Sequence, residues 1–350
     1  MRDGAQTADA VAQRLAAFLD AASKTLDVAI YDLRLEESPG NTVFNSFDAA
    51  IKRGVTVRLM FNQDHALAVP DPPPPEIDWA FIDRLRSAGV QVKPVPGVPD
   101  LMHHKYVVRD AGTDTAYILT GSTNWTNDSW NREENVILTV ASGEIAGDYA
   151  VNFQGLWDKP IVATSGHTAS PWSSLVDGPR VRPYFCPGRA LKLVHAMARS
   201  IASAQKRIRI CSPVITSGPI LGTIAEVVGQ GGVDIAGVYD ATQMDEVQRQ
   251  WGAETGAAWK ITAFRSIIAG ARFGGKRSTP YAKGSIHDFM HAKILVADDY
   301  AYIGSFNLSH SGESNAENVI QIESADVADM CAAYIDQVAA RYGGIPVKVA

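Results

Sequence analysis

The stretch "LMHHKYVVRD" (residues 101–110) sets two histidines and a lysine into what otherwise reads as a buried strand, and "FMHAKILVADD" (289–299) does so again. Alternate side chains of a strand share a face, so His103 and Lys105 are expected to point one way and Met102, His104 and Tyr106 the other. In the second copy His291 and Lys293 share a face, opposed by Met290, Ala292 and Ile294. A lone histidine in an apolar strand reads as a core residue, and His104 is read so. Core packing does not account for a lysine two positions beyond His103 and again beyond His291. Each copy therefore presents an imidazole beside an ammonium group. Asp110 and Asp298 lie five residues past the lysines, near the strand ends, where a carboxylate can pair with a basic side chain.

The chain repeats around these motifs. Before the first, apolar periodicity predicts a helix at 7–23 with Val11, Leu15, Phe18 and Leu19 on one stripe, then a strand at 26–33. A helix at 42–54 closed by Gly54, a strand at 55–62, a helix at 77–88 and the short strand "VQVKPV" follow. After residue 189 the order returns as helix "RALKLVHAMARSIASAQ", strand "RIRICSPVI", helix "GPILGTIAEVVGQ", strand "VDIAGVYD", a helix near 243–255, and strand "WKITAF". Past each motif come "GSTNWT" (121–126) or "GSFNLS" (304–309), and then "ENVI" at 134–137 or 317–320. Gly121 to Glu134 and Gly304 to Glu317 are both 13 positions, which makes the two glutamates equivalent. The turn between Asp110 and Gly121 is longer by five residues than its counterpart between Asp298 and Gly304.

Alternation of helix and strand implies an α/β fold. Two long copies suggest two similar lobes, each a mainly parallel or mixed sheet flanked by helices, related by a pseudo-twofold axis and sharing one site. The N-terminal lobe is placed at 1–158 and the C-terminal lobe at 189–350. Between them, 159–188 is rich in Pro, Gly and Ser and reads as a surface linker. With 46% apolar and 20% charged residues over 350 positions, the chain has a globular composition. A net charge of −6 gives no general pull toward a polyanion. Cys186, Cys211 and Cys331 have no CxxC spacing and read as buried thiols. No run reaches the ~18 apolar residues of a membrane span, and the first 20 residues lack a signal-peptide core. As given, the chain is expected to be soluble and cytoplasmic, or secreted if a leader has been trimmed.

Two histidines, two lysines and two asparagines, Asn124 and Asn307, converging on one cleft would bind a tetrahedral anion and cleave a phosphodiester. One neutral imidazole attacks phosphorus while the other protonates the departing oxygen, and water then releases the product. The lysines and amides stabilise charge on the non-bridging oxygens. A carboxylate is expected on the nucleophile's other ring nitrogen, with Glu134 and Glu317 as candidates and Glu133 as the substitute in the first lobe.

"HHKYVVRD" and "HAKILVAD" both satisfy H-x-K-x-x-x-x-D, and the sequence here resembles the phospholipase D superfamily, as "GSTN" and "GSFN" resemble its G-S/G-x-N companion. The resemblance covers both halves. It implies two phospholipase D-like lobes with a joint active site, a phosphohistidine intermediate, and no metal or other cofactor. Carried over, His103 and His291 form the nucleophile and acid/base pair, with His103 favoured as nucleophile. Lys105, Lys293, Asn124 and Asn307 would hold the phosphate, with Ser122 and Ser305 beside them in the companion motif. Asp110 and Asp298 would be structural partners. The expected substrate is a phosphodiester, a phospholipid before DNA or RNA, met in transient contact with a membrane surface by a monomeric chain. Hydrolysis and phosphatidyl transfer are both open. A nuclease is the alternative, and an inactive phosphate-binding protein is the non-enzymatic one.

Two further stretches bear on the cleft. "GARFGGKRS" (270–278) imitates a P-loop, but Arg277 replaces the magnesium-binding Ser/Thr and Pro280 disfavours the helix. Arg272, Lys276, Arg277 and Lys283 are instead expected on a lid or substrate clamp leading into His291. "PDPPPPE" (70–76) reads as a polyproline connector. Trp125 and Trp130 are expected in the core or at its rim.

Overall fold

A computed structural model describes residues 6–63, 77–176, 178–282 and 284–344. The polyproline connector and Lys283 lie outside the described residues. In the first half, α1 (Ala8–Asp20) leads into β1 (Thr25–Ile30) and β2 (Leu33–Arg34), α2 (Glu37–Lys52) into β3 (Thr56–Asn62), and α3 (Trp79–Ser87) into β4 (Gln91–Val95). Then follow β5 (Lys105–Arg109), β6 (Tyr117–Gly121), β7 (Trp125–Thr126), α4 (Asn127–Asn131), β8 (Ile137–Ala141) and α5 (Gly143–Asp158). The second half opens with β9 (Ser173–Ser174), β10 (Arg180–Phe185), α6 (Ala190–Ser203), β11 (Arg207–Cys211), α7 (Gly218–Gln230) and β12 (Asp234–Asp240). It closes with α8 (Ala241–Ala253), α9 (Ala258–Gly270), β13 (Arg272–Lys276), β14 (Ile294–Ala297), β15 (Tyr300–Gly304), α10 (His310–Ser314), β16 (Asn318–Glu323) and α11 (Ala325–Arg341).

Both sheets are mixed. The first has order β4-β3-β1-β5-β6-β8, and the second β13-β12-β11-β14-β15-β16-β10-β9. In each, three strands joined through helices run parallel and the motif strand returns antiparallel. Each motif strand then continues through a hairpin, β5–β6 or β14–β15, which needs no helical crossover.

Three apolar cores make a layered molecule. Val11, Leu15, Phe18, Phe47 and Leu85 pack outside the first sheet, and Leu193, Met197, Ile224, Phe264 and Ile267 outside the second. Between the sheets one continuous core joins Tyr106, Tyr149 and Phe153 of the first half to Phe185, Ile320 and Ile335 of the second. Cys186, Cys211 and Cys331 are free and buried, and Trp125 and Trp130 are buried too. Among the described residues no helix is long and apolar enough to cross a membrane.

Three expectations need correction. "WKITAF" belongs to helix α9, because Phe264 and Ile267 bury one face at helical spacing, and the partner strand is β13. The same strand displaces the lid: Lys276 is fully buried in it, Arg272 pairs with Asp234, and Arg277 with Asp245. The stretch 159–188 is more than a linker, since β10 pairs along its whole length with β16 and buries Tyr184 and Phe185.

Asp110 and Asp298 take the same place in both halves and pair with backbone, not with basic side chains. Asp110 accepts from the amides of Ser23, Lys24 and Thr25 at 2.7–3.1 Å, and Asp298 from Gln205, Lys206 and Arg207 at 2.7–3.0 Å. Each fastens its motif strand to the turn entering the neighbouring strand and does so with left-handed backbone, φ 53° and 49°. Burial raises both carboxyls, but the three amides together outweigh it and hold them below the usual carboxylate range. Their contribution is therefore complete above the unfolded carboxyl's value and is lost as pH falls through the lower folded one. Asp110→Asn, which tolerates the left-handed conformation, should cost about 1–3 kcal/mol in urea unfolding and leave the expected phosphodiester turnover of the folded protein intact. A stability change below about 0.5 kcal/mol would contradict this fastening role.

Candidate active site

The histidines sit at the mouths of the motif strands and not within them, since β5 begins at Lys105 and β14 at Ile294. Each lead-in is pinned twice. The Met102 amide donates to Asn62 Oδ1 at 2.9 Å and the Met290 amide to Asp240 Oδ2 at 3.0 Å, at the ends of β3 and β12. The second pin comes from the opposite half: the His103 amide donates to the Ala316 carbonyl at 2.9 Å, and the His291 amide to the Glu134 carbonyl at 3.1 Å. Lys105 Nζ and Lys293 Nζ turn back to donate to the carbonyls of His103 and His291 at 2.9 and 2.5 Å.

The ring nitrogens are braced across the same boundary. His103 Nδ1 lies 2.8 and 2.9 Å from the two carboxylate oxygens of Glu317. Ser305 Oγ donates to that carboxylate at 2.5 Å. On the other side His291 Nδ1 meets Asn135 Oδ1 at 3.1 Å and Glu133 Oε2 at 3.3 Å. Asn135 is oriented by its other bonds, because Oδ1 accepts from Ser122 at 2.6 Å while Nδ2 donates to Glu133 at 3.0 Å. His291 therefore donates from Nδ1 and leaves Nε2 bare.

The two "ENVI" strings are thus offset by one residue from the structural repeat. Gly121 pairs with Ile137, sixteen positions on, and Gly304 with Val319, fifteen positions on. A Cβ at Gly121 would meet the Val136 carbonyl oxygen at 2.0 Å, and one at Gly304 the Asn318 carbonyl oxygen at 2.0 Å. Those carbonyls accept from the Ser122 and Ser305 amides. Asn135, not Glu134, is the counterpart of Glu317. Glu134 does not reach His291: its carboxylate takes Lys276 Nζ and Tyr342 Oη, both at 2.5 Å. The additional residue falls between α4 and β8, and the doubled glutamate of "REEN" was the visible trace of it. Glu133 takes the place expected of Glu134, and Asn135 was not anticipated.

Burial dominates the electrostatics. It holds His103 and His291 well below the usual imidazole range, with the charges of Lys105 and Lys293 pushing the same way. His103 further lowers His291, so the two rings feel each other. Burial pushes Lys105 down to about 7, Glu317 up to about 8 and Glu133 up to about 7. The site thus lies near neutrality when empty, and an anion entering between the lysines would recharge it.

Asn124 and Asn307 each carry a buried side-chain oxygen without a hydrogen-bond partner. Tyr31 adds a wall, its ring centroid 4.8 Å from that of His103 and 4.9 Å from Lys105 Nζ. Asp32, held by Arg34 at 2.7 and 2.8 Å, follows it, and His287 and Asp128 stand within electrostatic reach. His104 points away, packed on Tyr106 and Phe185 at ring distances of 5.0 and 6.5 Å.

The description "Cardiolipin synthase, PLD-like domain" matches residues 15–157 and again 197–339. The chain belongs to this phospholipase D-like family, a family of phosphodiesterases, and carries its domain twice. Over 113 residues it is 33% identical to the mitochondrial cardiolipin hydrolase of Xenopus laevis, covering 32% of this chain and 47% of that one. Over 141 residues it is 23% identical to the Chlamydomonas reinhardtii protein of the same name, covering 40% and 55%. The chain thus spans about half the length of these curated relatives. Its fold matches the crystal structure of the phosphatidylserine synthase of Haemophilus influenzae Rd KW20, with TM-score 0.66, 14% identity, and 97% and 85% of the two chains covered.

Glu134→Gln leaves the fully buried Lys276 ammonium without its counter-charge and should cost about 3–5 kcal/mol. Glu133→Gln replaces a carboxyl already driven toward its neutral form and should cost less than about 1 kcal/mol. Denaturant unfolding at pH 7 compares them, and equal losses would contradict the division of labour between the two glutamates.

Proposed function

We propose that this chain cleaves phospholipid phosphodiesters without a metal, hydrolysing or transferring a phosphatidyl group through a phosphohistidine on His103. The observation that carries the reading is the crossed bracing, in which each imidazole is oriented by side chains of the opposite half. With Nδ1 turned to Glu317, His103 offers the Nε2 lone pair to phosphorus, and the carboxylate balances the positive charge that the ring gains. The negative charge of the entering phosphate favours protonation of His291 at Nε2, and as the P–N bond forms and the P–O bond breaks the departing oxygen takes that proton. In the second half-reaction His291 removes a proton from water or an acceptor alcohol, whose oxygen displaces His103 from phosphorus. Lys105, Lys293, Asn124 and Asn307 hold the non-bridging oxygens throughout. His103 is favoured as nucleophile because a carboxylate braces it, whereas an amide oxygen meets His291 first.

Several features favour lipid over nucleic acid. The family description and the relatives named above concern cardiolipin. Asp32 acts on Lys105 of the centre, and the net charge is −6, which disfavours a polyanionic strand. Because one chain supplies both half-sites, it acts as a monomer, taking its substrate in transient contact with a membrane surface.

Incubation in EDTA with cardiolipin or phosphatidylcholine vesicles should release phosphatidic acid or a transfer product, while single-stranded and duplex DNA stay intact. DNA cleavage with lipid untouched would reverse the assignment. His103→Ala and His291→Ala should each lower turnover of bis-p-nitrophenyl phosphate by at least about 10²-fold. Because p-nitrophenolate leaves without a proton, His291→Ala should accumulate an adduct on His103, detectable by mass spectrometry. An adduct on His291 in the His103→Ala protein would exchange the two roles.

The pH dependence follows from the same groups. His103 stays neutral down to well below 6.5, and Lys105, pushed down to about 7 by burial, loses its charge above that value. Glu317, whose carboxyl burial pushes up to about 8, must lose its proton to brace His103, so for the free enzyme kcat/KM should peak between about pH 7 and 8 and decline on either side. A maximum above pH 8 would contradict this.

A further inference from the structure

The two sheets differ at one edge. In the second, β16 is covered on its outer side by β10, which pairs with it antiparallel from Arg180–Glu323 to Phe185–Asn318. In the first, β8 is the counterpart of β16 and is the last strand, with nothing on its outer edge among the described residues. The register makes the comparison position by position: Leu119 and Thr139 pair as Tyr302 and Gln321 do, and Ile137 corresponds to Val319. Val319 is 2% exposed beneath Tyr184, whereas Ile137 is 41% exposed.

A pocket of about 470 Å³ opens beside this edge, between α1 and the β6–β8 face. Leu119, Ile137 and Thr139 line it, together with Leu15 and Phe18 of α1 and Trp130. In the second lobe the equivalent space holds the Tyr184 ring, which packs in one core with Tyr302 and Val319 and donates from its hydroxyl to Gln321 at 3.2 Å. The pocket is therefore the berth of a strand that the second lobe has and the first lacks. Residues 136–141, "VILTVA", carry no charge and no proline, the usual devices that blunt an exposed edge.

We propose that the β8 edge and its pocket receive an extended peptide segment of a partner protein. It adds antiparallel to β8 and inserts an aromatic side chain where Tyr184 sits in the second lobe. A second copy of β8 would not serve, because it offers no aromatic residue and its Ile137 and Thr139 already line its own pocket. The far wall of the berth includes Glu133 and Asn135, so the bound segment would lie directly behind the groups that brace His291.

The chain's own Pro179–Phe185 segment, as a capped fluorescent peptide, is the probe, titrated into the full-length protein and followed by anisotropy. Saturable binding with a dissociation constant below about 100 μM is expected. Tyr184→Ala in the peptide should weaken it at least about tenfold. Ile137→Lys in the protein should do the same while leaving its circular dichroism and phosphodiesterase activity unchanged. A scrambled peptide binding equally well, or binding indifferent to both substitutions, would overturn the proposal. So would absence of saturable peptide binding; quenching of tryptophan fluorescence by a brominated alkyl detergent would then assign the berth to an apolar chain.

Discussion

The structure depends on one constraint: each of the two motif imidazoles is oriented by the opposite half of the chain, and neither half orients its own. Backbone and side chain meet it together. The His103 amide hangs on the Ala316 carbonyl and its ring on the next residue, Glu317, while the His291 amide hangs on the Glu134 carbonyl and its ring on Asn135. A short parallel bridge thus delivers orientation and electrostatics in two consecutive residues on each side. Burial of these bonds makes them costly to break, and it also drives the histidines and lysines toward their neutral forms.

The pseudo-symmetry is close in the scaffold and incomplete in the chemistry. Asp110 and Asp298, Lys105 and Lys293, and the glycines and serines of the companion motif repeat nearly bond for bond. The brace does not: a carboxylate backs one imidazole and an amide backs the other. The two-step displacement proposed above would ask different things of its two histidines, one to carry phosphorus and one to exchange protons, and a single chain can differentiate them where two identical subunits cannot.

Most of the scaffold, and the residues that the structure gathers at the candidate site, were legible in the sequence because they rest on local pattern. The helix stripes, the parallel strands and H-x-K repeated at matching places in both halves need no knowledge of packing. The failures lie where tertiary context overrides pattern. Equal 13-residue spacings and the shared string "ENVI" pointed to Glu134, yet one additional residue before β8 turned Asn135 into the brace. "WKITAF" is rich in strand-forming residues, but burial of Phe264 and Ile267 in the core outside the second sheet makes it part of a helix. The basic, glycine-rich run ending at Lys276 looked mobile and solvated; a buried glutamate from the other half makes its lysine an internal ion pair.

The core between the sheets carries a consequence for how such a molecule can be divided. Tyr106, Tyr149 and Phe153 from one half are packed with Phe185, Ile320 and Ile335 from the other in one continuous apolar core. A fragment ending near residue 170 would present that apolar face to water and lack the partner's carboxylate behind its histidine. Neither half alone would bury that face, so the shared core binds the two into one folding unit.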